Sequence, residues 1–155
     1  MQAARAPSEA RVCILKNRII NNRPTTAERI VTVAPELPGA VDLIRTLVAR
    51  GHRVSLGHSG ATYEQALEAV AAGATQATHL FNRMPPLHHR APGLAGAVLA
   101  SDEIAAELVC DGVHVHPGAM RVAIAAKRAA RLMAVTDGTA GSGLPPGSRA
   151  TLCGR

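Results

Sequence analysis

The stretch VSLGHSGATYEQA, residues 54–66, joins a strand pattern to a helix pattern through a short polar loop. Its apolar beginning predicts a buried strand. Thr62 with Gln65 three positions later forms a capping box, which marks the beginning of a helix. Gly57 and His58 stand between the two patterns. The stretch therefore predicts a strand–loop–helix unit of an α/β fold, with a histidine where the strand ends.

Similar units recur along most of the chain. Segments with the composition of strands lie at 30–34, 53–56, 75–80, 107–112 and 131–138. Helical spacing of apolar residues is found at 41–51, 62–73 and 117–130. Residues 81–96 are rich in proline and glycine and predict a long loop. Strands that alternate with helices predict a parallel sheet covered by helices.

Polar residues follow the predicted strands with the same phase, namely His58, His79, Asp111 with His114, and Asp137. In an eight-stranded α/β barrel the carboxyl ends of all strands open on one face, and in an open doubly wound sheet they line the ligand crevice. Four or five βα units can be counted, whereas a closed barrel has eight in about 250 residues. The prediction is a partial (β/α) TIM-type barrel of parallel strands over 29–155, after a poorly defined segment 1–28. The open sheet is the alternative.

Composition narrows the class of protein. At 155 residues and 47% apolar content, the chain is long enough for one compact domain. It has neither the run of about 18 apolar residues that a membrane helix requires nor a signal-peptide core, so a cytoplasmic location is expected. The three cysteines are widely spaced and form no CxxC pair, which disfavours a disulfide framework or a cysteine zinc site.

The net charge of +6 is compatible with nucleic-acid binding. However, the arginines are spread along the chain, and the aromatic residues are only Tyr63 and Phe81. Single-strand binding normally uses more stacking residues. A solvated arginine-rich surface or a small anionic ligand explains the charge equally well. We therefore expect neither a nucleic-acid partner nor a membrane partner.

His58 and His79 form a candidate metal pair. They end consecutive predicted strands, and parallel neighbours lie about 4.8 Å apart, so the two imidazoles can share one ion. Two histidines with a carboxylate and water are a usual zinc set. Asp137, in AVTDGTAG, suits a general base beside that ion. The alternatives are capping histidines and an Asx turn at Asp137.

Two further regions carry candidate substrate contacts. DGVHVHP contains His114 and His116 directly after a predicted strand, so one of them can face a substrate. Arg90 follows His88 and His89 in the predicted long loop. A loop arginine near an active face is a natural phosphate ligand, although a solvated loop charge explains it equally well.

Five segments together resemble a known family: GHSGAT, ATHLFNRMPP, HRAPGLAGAVL, CDGVHVHP and AVTDGTA. In order and spacing they are similar to the N-acetylglucosamine-6-phosphate deacetylases of the amidohydrolase superfamily. The resemblance covers residues 30 to about 150. It implies an α/β-barrel enzyme, usually dimeric, that hydrolyses the acetamide of N-acetylglucosamine 6-phosphate to glucosamine 6-phosphate and acetate. The implied cofactor is a divalent metal, with zinc expected, and the implied partners are the phosphosugar and a homo-oligomer.

The same resemblance implies roles for individual residues. By position, His58 and His79 are similar to the family's two histidine metal ligands, and Asp137 to its catalytic aspartate. His114 is similar to the histidine that contacts the substrate carbonyl region. The implied sugar-phosphate contacts are Asn82, the backbone at Arg83, and Arg90. Family members commonly have alanine where this chain has Arg83.

One family feature is missing. The family's third protein ligand is a glutamate in an upstream His-x-Glu-Gly-Pro motif, which this sequence lacks. Glu36 matches a different position in the family and is not assigned as a ligand. We therefore expect weak metal binding, low or no activity of the isolated chain, and a truncated segment of a deacetylase. The alternatives are a non-catalytic fragment that needs a partner chain, and an amidohydrolase for another N-acyl sugar.

Overall fold

A computed structural model describes residues 30–139 and 141–151, together with the backbone of Cys13 and Ile14. The described strands form one sheet in the order β1 (Cys13–Ile14), β2 (Ile30–Val33), β3 (Arg53–Leu56), β4 (Gln76–Ala77), β5 (Ala105–Val109) and β6 (Leu132–Val135). β1 pairs with β2 in the antiparallel direction. The pairs from β2 to β6 are all parallel.

Each connection between parallel strands contains a helix. The helices are α1 (Ala40–Ala49), α2 (Tyr63–Ala71), α3 (Gly93–Ala100) and α4 (Pro117–Lys127), and a short 3-10 helix (Ala129–Arg131) precedes β6. The predicted capping box is formed, since Thr62 Oγ1 accepts from the Gln65 amide at 3.2 Å and the Gln65 side chain accepts from the Thr62 amide at 2.9 Å. Pro117 occupies the first turn of α4.

Helix α3 lies partly in the segment predicted as a loop. The prediction was wrong for 93–96, where the helix has already begun. Its sequence, GLAGAVLA, is apolar almost throughout, and Leu94 to Val98 are all buried. A helix packed between two neighbouring helices has no polar face and therefore no amphipathic period that a sequence pattern can reveal.

The strand order follows the chain order from β2 to β6. An open doubly wound sheet contains a point at which that order reverses, and no reversal occurs among the described strands. Because βαβ crossovers are right-handed, four successive connections in one direction put all four helices on the same face. The predicted fold class, a partial (β/α) TIM-type barrel of parallel strands, is confirmed.

The predicted segment 1–28 lies outside the described residues, apart from Cys13 and Ile14, whose backbone pairs with Thr32 and Val31. The division into 1–28 and 29–155 therefore stays a prediction. Within the described part of the chain, no helix has the length and apolar content to cross a membrane.

The two faces of the sheet differ in chemistry. The helix-facing residues are small and aliphatic: Val31, Val33, Val54, Leu56, Ala77, Ala106 and Leu108. They pack with helix residues such as Ile44, Leu94 and Val98 in one buried core. The opposite face, which is the barrel interior, carries polar side chains at Thr32, Ser55, Gln76 and Thr78, all of them buried. Strand alternation and register put Glu107 on this interior face too.

Candidate active site at the carboxyl ends of the strands

Three hydroxyl groups form the layer of the interior nearest to the strand ends. Thr78 Oγ1 lies 2.6 Å from Ser55 Oγ and 3.0 Å from Thr32 Oγ1. Gly57 packs directly on this layer, because a Cβ at Gly57 would lie 2.9 Å from Thr78 Cβ and 3.2 Å from Thr32 Cγ2. A glycine is therefore required where β3 passes into the loop that carries His58.

His58 and His79 meet just beyond this layer. Their Nε2 atoms are 2.8 Å apart, with ring centroids separated by 4.6 Å and ring planes tilted by 58°. His79 is only 5% exposed, whereas His58 is exposed. His79 Nδ1 is buried and has no hydrogen-bond partner among the described residues, so the ring interacts through Nε2. Parallel pairing thus brings together two imidazoles that are far apart in the sequence.

The backbone at this rim is unusual. His58, His79 and Asp137 have φ values of 50°, 33° and 49°, and the neighbouring Phe81 and Arg83 have 75° and 53°. Non-glycine residues with positive φ are uncommon, and such strain collects at functional sites. Among the described residues, Arg128 is the one further non-glycine case. The concentration of left-handed residues marks this rim as the candidate site.

Asp137 follows β6, and its charge reaches His58. Burial lowers the pKa of His58, the charges of His79 and Arg83 lower it further, and the Asp137 carboxylate partly opposes them by raising it. The lowered pKa favours the neutral form of His58, in which one ring nitrogen has a lone pair available to a metal ion or a proton donor. Asp137 itself is exposed.

Glu107 is a site residue that the sequence analysis did not single out. Its Oε2 accepts from the His79 amide at 3.4 Å, and its backbone oxygen accepts from the Leu80 amide at 2.8 Å. Burial raises the pKa of Glu107 and the charge of Asp137 raises it further, whereas the bond from the His79 amide lowers it. The signal in the sequence is a charged residue within the apolar run AAELV, at an inward-facing position.

Asn82 and Arg83 lie in the tight turn after His79. The Asn82 side-chain amide donates to the carbonyl oxygens of His79 and Leu80 at 3.3 and 3.4 Å. The Arg83 carbonyl accepts from the Ser59 amide at 3.1 Å. Asn82 therefore braces the loop after β4, and Arg83 connects that loop to the loop after β3. The charge of the Arg83 side chain also lowers the pKa of His58.

His114 belongs to an exposed ion pair. Its Nδ1 lies 2.6 Å from Asp111 Oδ2, while Asp111 Oδ1 accepts from the amides of Val113 and His114. The hydrogen bond to Asp111 raises the pKa of His114, and the pKa of Asp111 falls to about 2 mainly because of the same bond. The charge of Asp137 also raises the pKa of His114, so Asp137 is close to this pair as well.

The contacts of the remaining candidates are local. Arg90 is exposed in the loop before α3, and its amide donates to His88 Nδ1 at 3.2 Å. His116 caps α4 by accepting from the Gly118 amide through Nδ1. A groove of about 320 Å³ lies at the carboxyl ends of β5 and β6, and its lining includes Cys110, Asp111 and Thr136.

The described residues offer two nitrogen ligands for a metal. Among them, no group of three or more histidine, cysteine, aspartate or glutamate residues is arranged to hold an ion. Two zinc ligands at about 2.0–2.1 Å in tetrahedral geometry are about 3.3 Å apart. The 2.8 Å between the imidazoles would open by roughly half an ångström on binding, so the pair fits two positions of a zinc site.

Comparison with known proteins gives consistent names. The sequence matches no protein-family model. It is 46% identical over 117 residues to the N-acetylglucosamine-6-phosphate deacetylase of Lysinibacillus sphaericus, covering 76% of this chain and 30% of that protein. It is 44% identical over 126 residues to the N-acetylgalactosamine-6-phosphate deacetylase of Escherichia coli O157:H7, covering 81% of this chain and 33% of that protein.

The fold agrees with solved structures. The N-acetyl-D-glucosamine-6-phosphate deacetylase of Mycobacterium smegmatis superposes with a TM-score of 0.73 and 42% identity, over 74% of this chain and 33% of that one. A mutant of that enzyme, in complex with N-acetyl-D-glucosamine-6-phosphate, also gives 0.73, at 40% identity and over 75% and 30% of the two chains. The chain thus spans about a third of the length of the relatives it matches. By sequence and by fold, it belongs to the family of N-acetylglucosamine-6-phosphate deacetylases.

Proposed function

We propose that the chain takes part in the metal-dependent removal of the acetyl group from N-acetylglucosamine 6-phosphate, which yields glucosamine 6-phosphate and acetate. The observation that carries the proposal is the 2.8 Å approach of the His58 and His79 Nε2 atoms at the rim where Asp137 also lies. The relatives named above are deacetylases of acetylated amino-sugar phosphates.

His58 and His79 would hold the metal through their Nε2 atoms. The lowered pKa of His58 favours the neutral imidazole that ligation requires. When bound, a divalent metal, for which zinc is the expected ion, supplies Lewis acidity toward the amide carbonyl. Both histidines have a left-handed backbone, and their Nε2 atoms lie 2.8 Å apart.

Asp137 would carry the proton. Its carboxylate takes a proton from the attacking water while the water oxygen bonds to the acetyl carbon. It then gives that proton to the amine nitrogen as the carbon–nitrogen bond breaks. His114, whose pKa is raised by Asp111, would donate a hydrogen bond to the carbonyl oxygen as negative charge develops there.

The sugar phosphate would be bound at the neighbouring loops. Asn82, the Arg83 backbone and Arg90 all lie in the segment after β4, and Arg90 offers a planar guanidinium for bidentate phosphate contacts. Binding energy from the phosphate would position the acetamide at the reacting groups. We also propose a cytoplasmic location, because a charged phosphate ester does not cross a membrane unaided.

Zinc binding and turnover test the proposal. With two protein ligands among the described residues, we expect the purified full chain to bind zinc weakly in calorimetry. We also expect it to release acetate from N-acetylglucosamine 6-phosphate far more slowly than the Lysinibacillus relative. His58→Ala and His79→Ala should each abolish zinc binding. The double variant His88→Ala/His89→Ala, which removes an exposed histidine pair, should retain it.

Two results would contradict this proposal. Turnover equal to that of the complete relative would refute the impairment. Zinc binding that survives in both His58→Ala and His79→Ala would refute the metal assignment.

A second substrate is favoured by one comparison, the 44% identity to an N-acetylgalactosamine-6-phosphate deacetylase. The two phosphosugars differ only in the configuration at C4, so both present the same acetamide and phosphate. If Arg90 binds the phosphate, Arg90→Ala should raise KM for both phosphosugars and leave the slow hydrolysis of unphosphorylated N-acetyl sugars unchanged. Equal loss for phosphorylated and unphosphorylated sugars would contradict a phosphate contact at Arg90.

A further inference from the structure

Glu36 lies in the loop between β2 and α1, and both of its carboxylate oxygens are engaged by the loop that carries His58. Oε2 accepts from Ser59 Oγ at 2.6 Å, and Oε1 accepts from the Gly60 amide at 2.7 Å. Both distances are short, as charge-assisted hydrogen bonds are. Ser59 is 2% exposed, and Glu36 is half-buried.

Ser59 extends this contact in two directions. Its Oγ also accepts from the Ala61 amide at 3.0 Å, and its own amide donates to the Arg83 carbonyl at 3.1 Å. The residue directly after His58 is therefore tied both to the loop before α1 and to the turn after His79. Three neighbouring loops at the rim are joined through the Glu36 carboxylate and through the buried hydroxyl and the backbone amide of Ser59.

His58 needs such support. Its φ of 50° is unfavourable for a non-glycine residue, and its side chain is exposed, so packing contributes little to its position. We propose that Glu36 and Ser59 are positioning residues, which together hold residues 58–61 so that the His58 imidazole faces that of His79. The inference rests on the proposed function in one respect, namely that His58 is a metal ligand.

A direct role of Glu36 at the metal does not fit the structure. Both of its oxygens already accept hydrogen bonds from Ser59 and Gly60. It is also not part of any cluster of three or more potential ligands within the described residues. Its action on His58 is therefore indirect, through the backbone of the loop.

The first measurement is the zinc affinity of the full chain, with zinc as the only added ligand. Glu36→Ala and Ser59→Ala should each weaken zinc binding by about 10- to 100-fold, the usual loss when a supporting partner of a ligand is removed. Glu36→Gln keeps one acceptor oxygen and should lie between Glu36→Ala and the unchanged chain. Glu68→Ala, which removes an exposed glutamate from α2, is the matched control and should bind zinc normally.

The second measurement is amide hydrogen exchange without metal. In Glu36→Ala the amides of Gly60 and Ala61 should exchange at least tenfold faster, while that of Thr78, bonded to the Leu56 carbonyl within the sheet, should not change. Unaltered exchange at Gly60 and Ala61 overturns the inference. So does unaltered zinc affinity in Glu36→Ala when the unchanged chain binds zinc. If the unchanged chain binds no zinc, the proposed function fails, and the exchange measurement still decides the role of Glu36.

Discussion

The three residues proposed for the chemistry share an unfavourable backbone conformation. His58, His79 and Asp137 all have positive φ, in loops that directly follow β3, β4 and β6. Each such residue costs of order 1–3 kcal/mol and persists only where surrounding contacts impose it. Glu36, Ser59 and Glu107 supply such contacts at the two histidines, through hydrogen bonds to loop backbone and side-chain atoms. At the residue scale, the site is therefore a set of strained positions with identifiable restraints.

Asp111 sets the protonation of His114. Because the hydrogen bond to Asp111 raises the pKa of His114 above 6.5, Asp111→Asn should lower the pKa of His114 toward that ordinary value. The change can be followed by NMR titration of the imidazole. Asp42→Asn, which removes an exposed carboxylate paired with Arg45, is the control and should leave the pKa of His114 unchanged.

We expect the Asp111–His114 pair to contribute to folding stability only within a limited range of pH. For His114 the folded-state pKa is raised, so its contribution is complete below pH 6.5 and is lost as pH rises through the raised value. For Asp111 the folded-state pKa is lowered to about 2, so its contribution is present above pH 3.8 and is lost toward pH 2. A pKa of His114 that Asp111→Asn does not alter would contradict the statement about His114.

Sequence reasoning located the histidines but not their supports. The common phase of His58 and His79 relative to their strands was enough to predict that they meet, because parallel strands align their carboxyl ends. The roles of Glu36 and Glu107 depend on which amide each carboxylate reaches. The conformations of the loops, such as the positive φ at His58 and His79, determine which amide each carboxylate reaches. The spacing of histidine and glutamate residues in the sequence does not predict these conformations.

At the scale of single elements, β3 and its following glycine determine how close the site lies to the sheet. Gly57 rests on Thr78 and Thr32, so Gly57→Ala would force a methyl group to within 2.9 Å of Thr78 Cβ. We expect it to destabilise the fold by about 1–3 kcal/mol, the usual effect of overpacking. The measurement is urea unfolding, accompanied by zinc titration to detect displacement of His58.

Gly60→Ala is the matched control for this change. It lies three residues further along, where the nearest atom to an added Cβ is Glu36 Oε1 at 3.8 Å, and it keeps the amide that Glu36 binds. It should unfold at nearly the same urea concentration as the unchanged chain. Equal stability of the two variants would show that Gly57 is not required for close packing.

Several helices and strands were predicted correctly from the pattern of apolar residues and end signals. β2 and β3 were predicted from their apolar runs, since both are buried on either face, and α2 was predicted from its capping box and the spacing of its apolar residues. β4 was predicted over six positions but has regular pairing only at Gln76 and Ala77, since the chain turns at His79. Helix α3 was not predicted from the sequence, because it is buried on nearly all sides.

At the scale of the whole molecule, β6 is the open side of the sheet. Among the described strands it pairs with β5 alone, and its residues are half-buried or exposed. Unpaired strand edges promote association between chains. We therefore expect the chain to self-associate as its concentration rises, which agrees with the alternative that a partner chain is needed and with a homo-oligomer.

Sedimentation velocity over a range of concentrations tests this expectation. Ala134→Lys, which places a charge at an exposed position of β6, should reduce self-association. Ala125→Lys, at an exposed position of α4, adds the same charge away from the edge and should have no such effect. A chain that sediments as a monomer at every concentration would contradict a role for the β6 edge.

The left-handed turns at positions 58, 79 and 137 have a consequence for how such a chain can change over time. Glycine or asparagine would occupy those positions more comfortably than the side chains found there. A substitution that stabilises the chain at one of these positions therefore removes an imidazole or carboxylate group proposed for the chemistry. Natural selection must therefore act against such stabilising substitutions wherever the activity is retained.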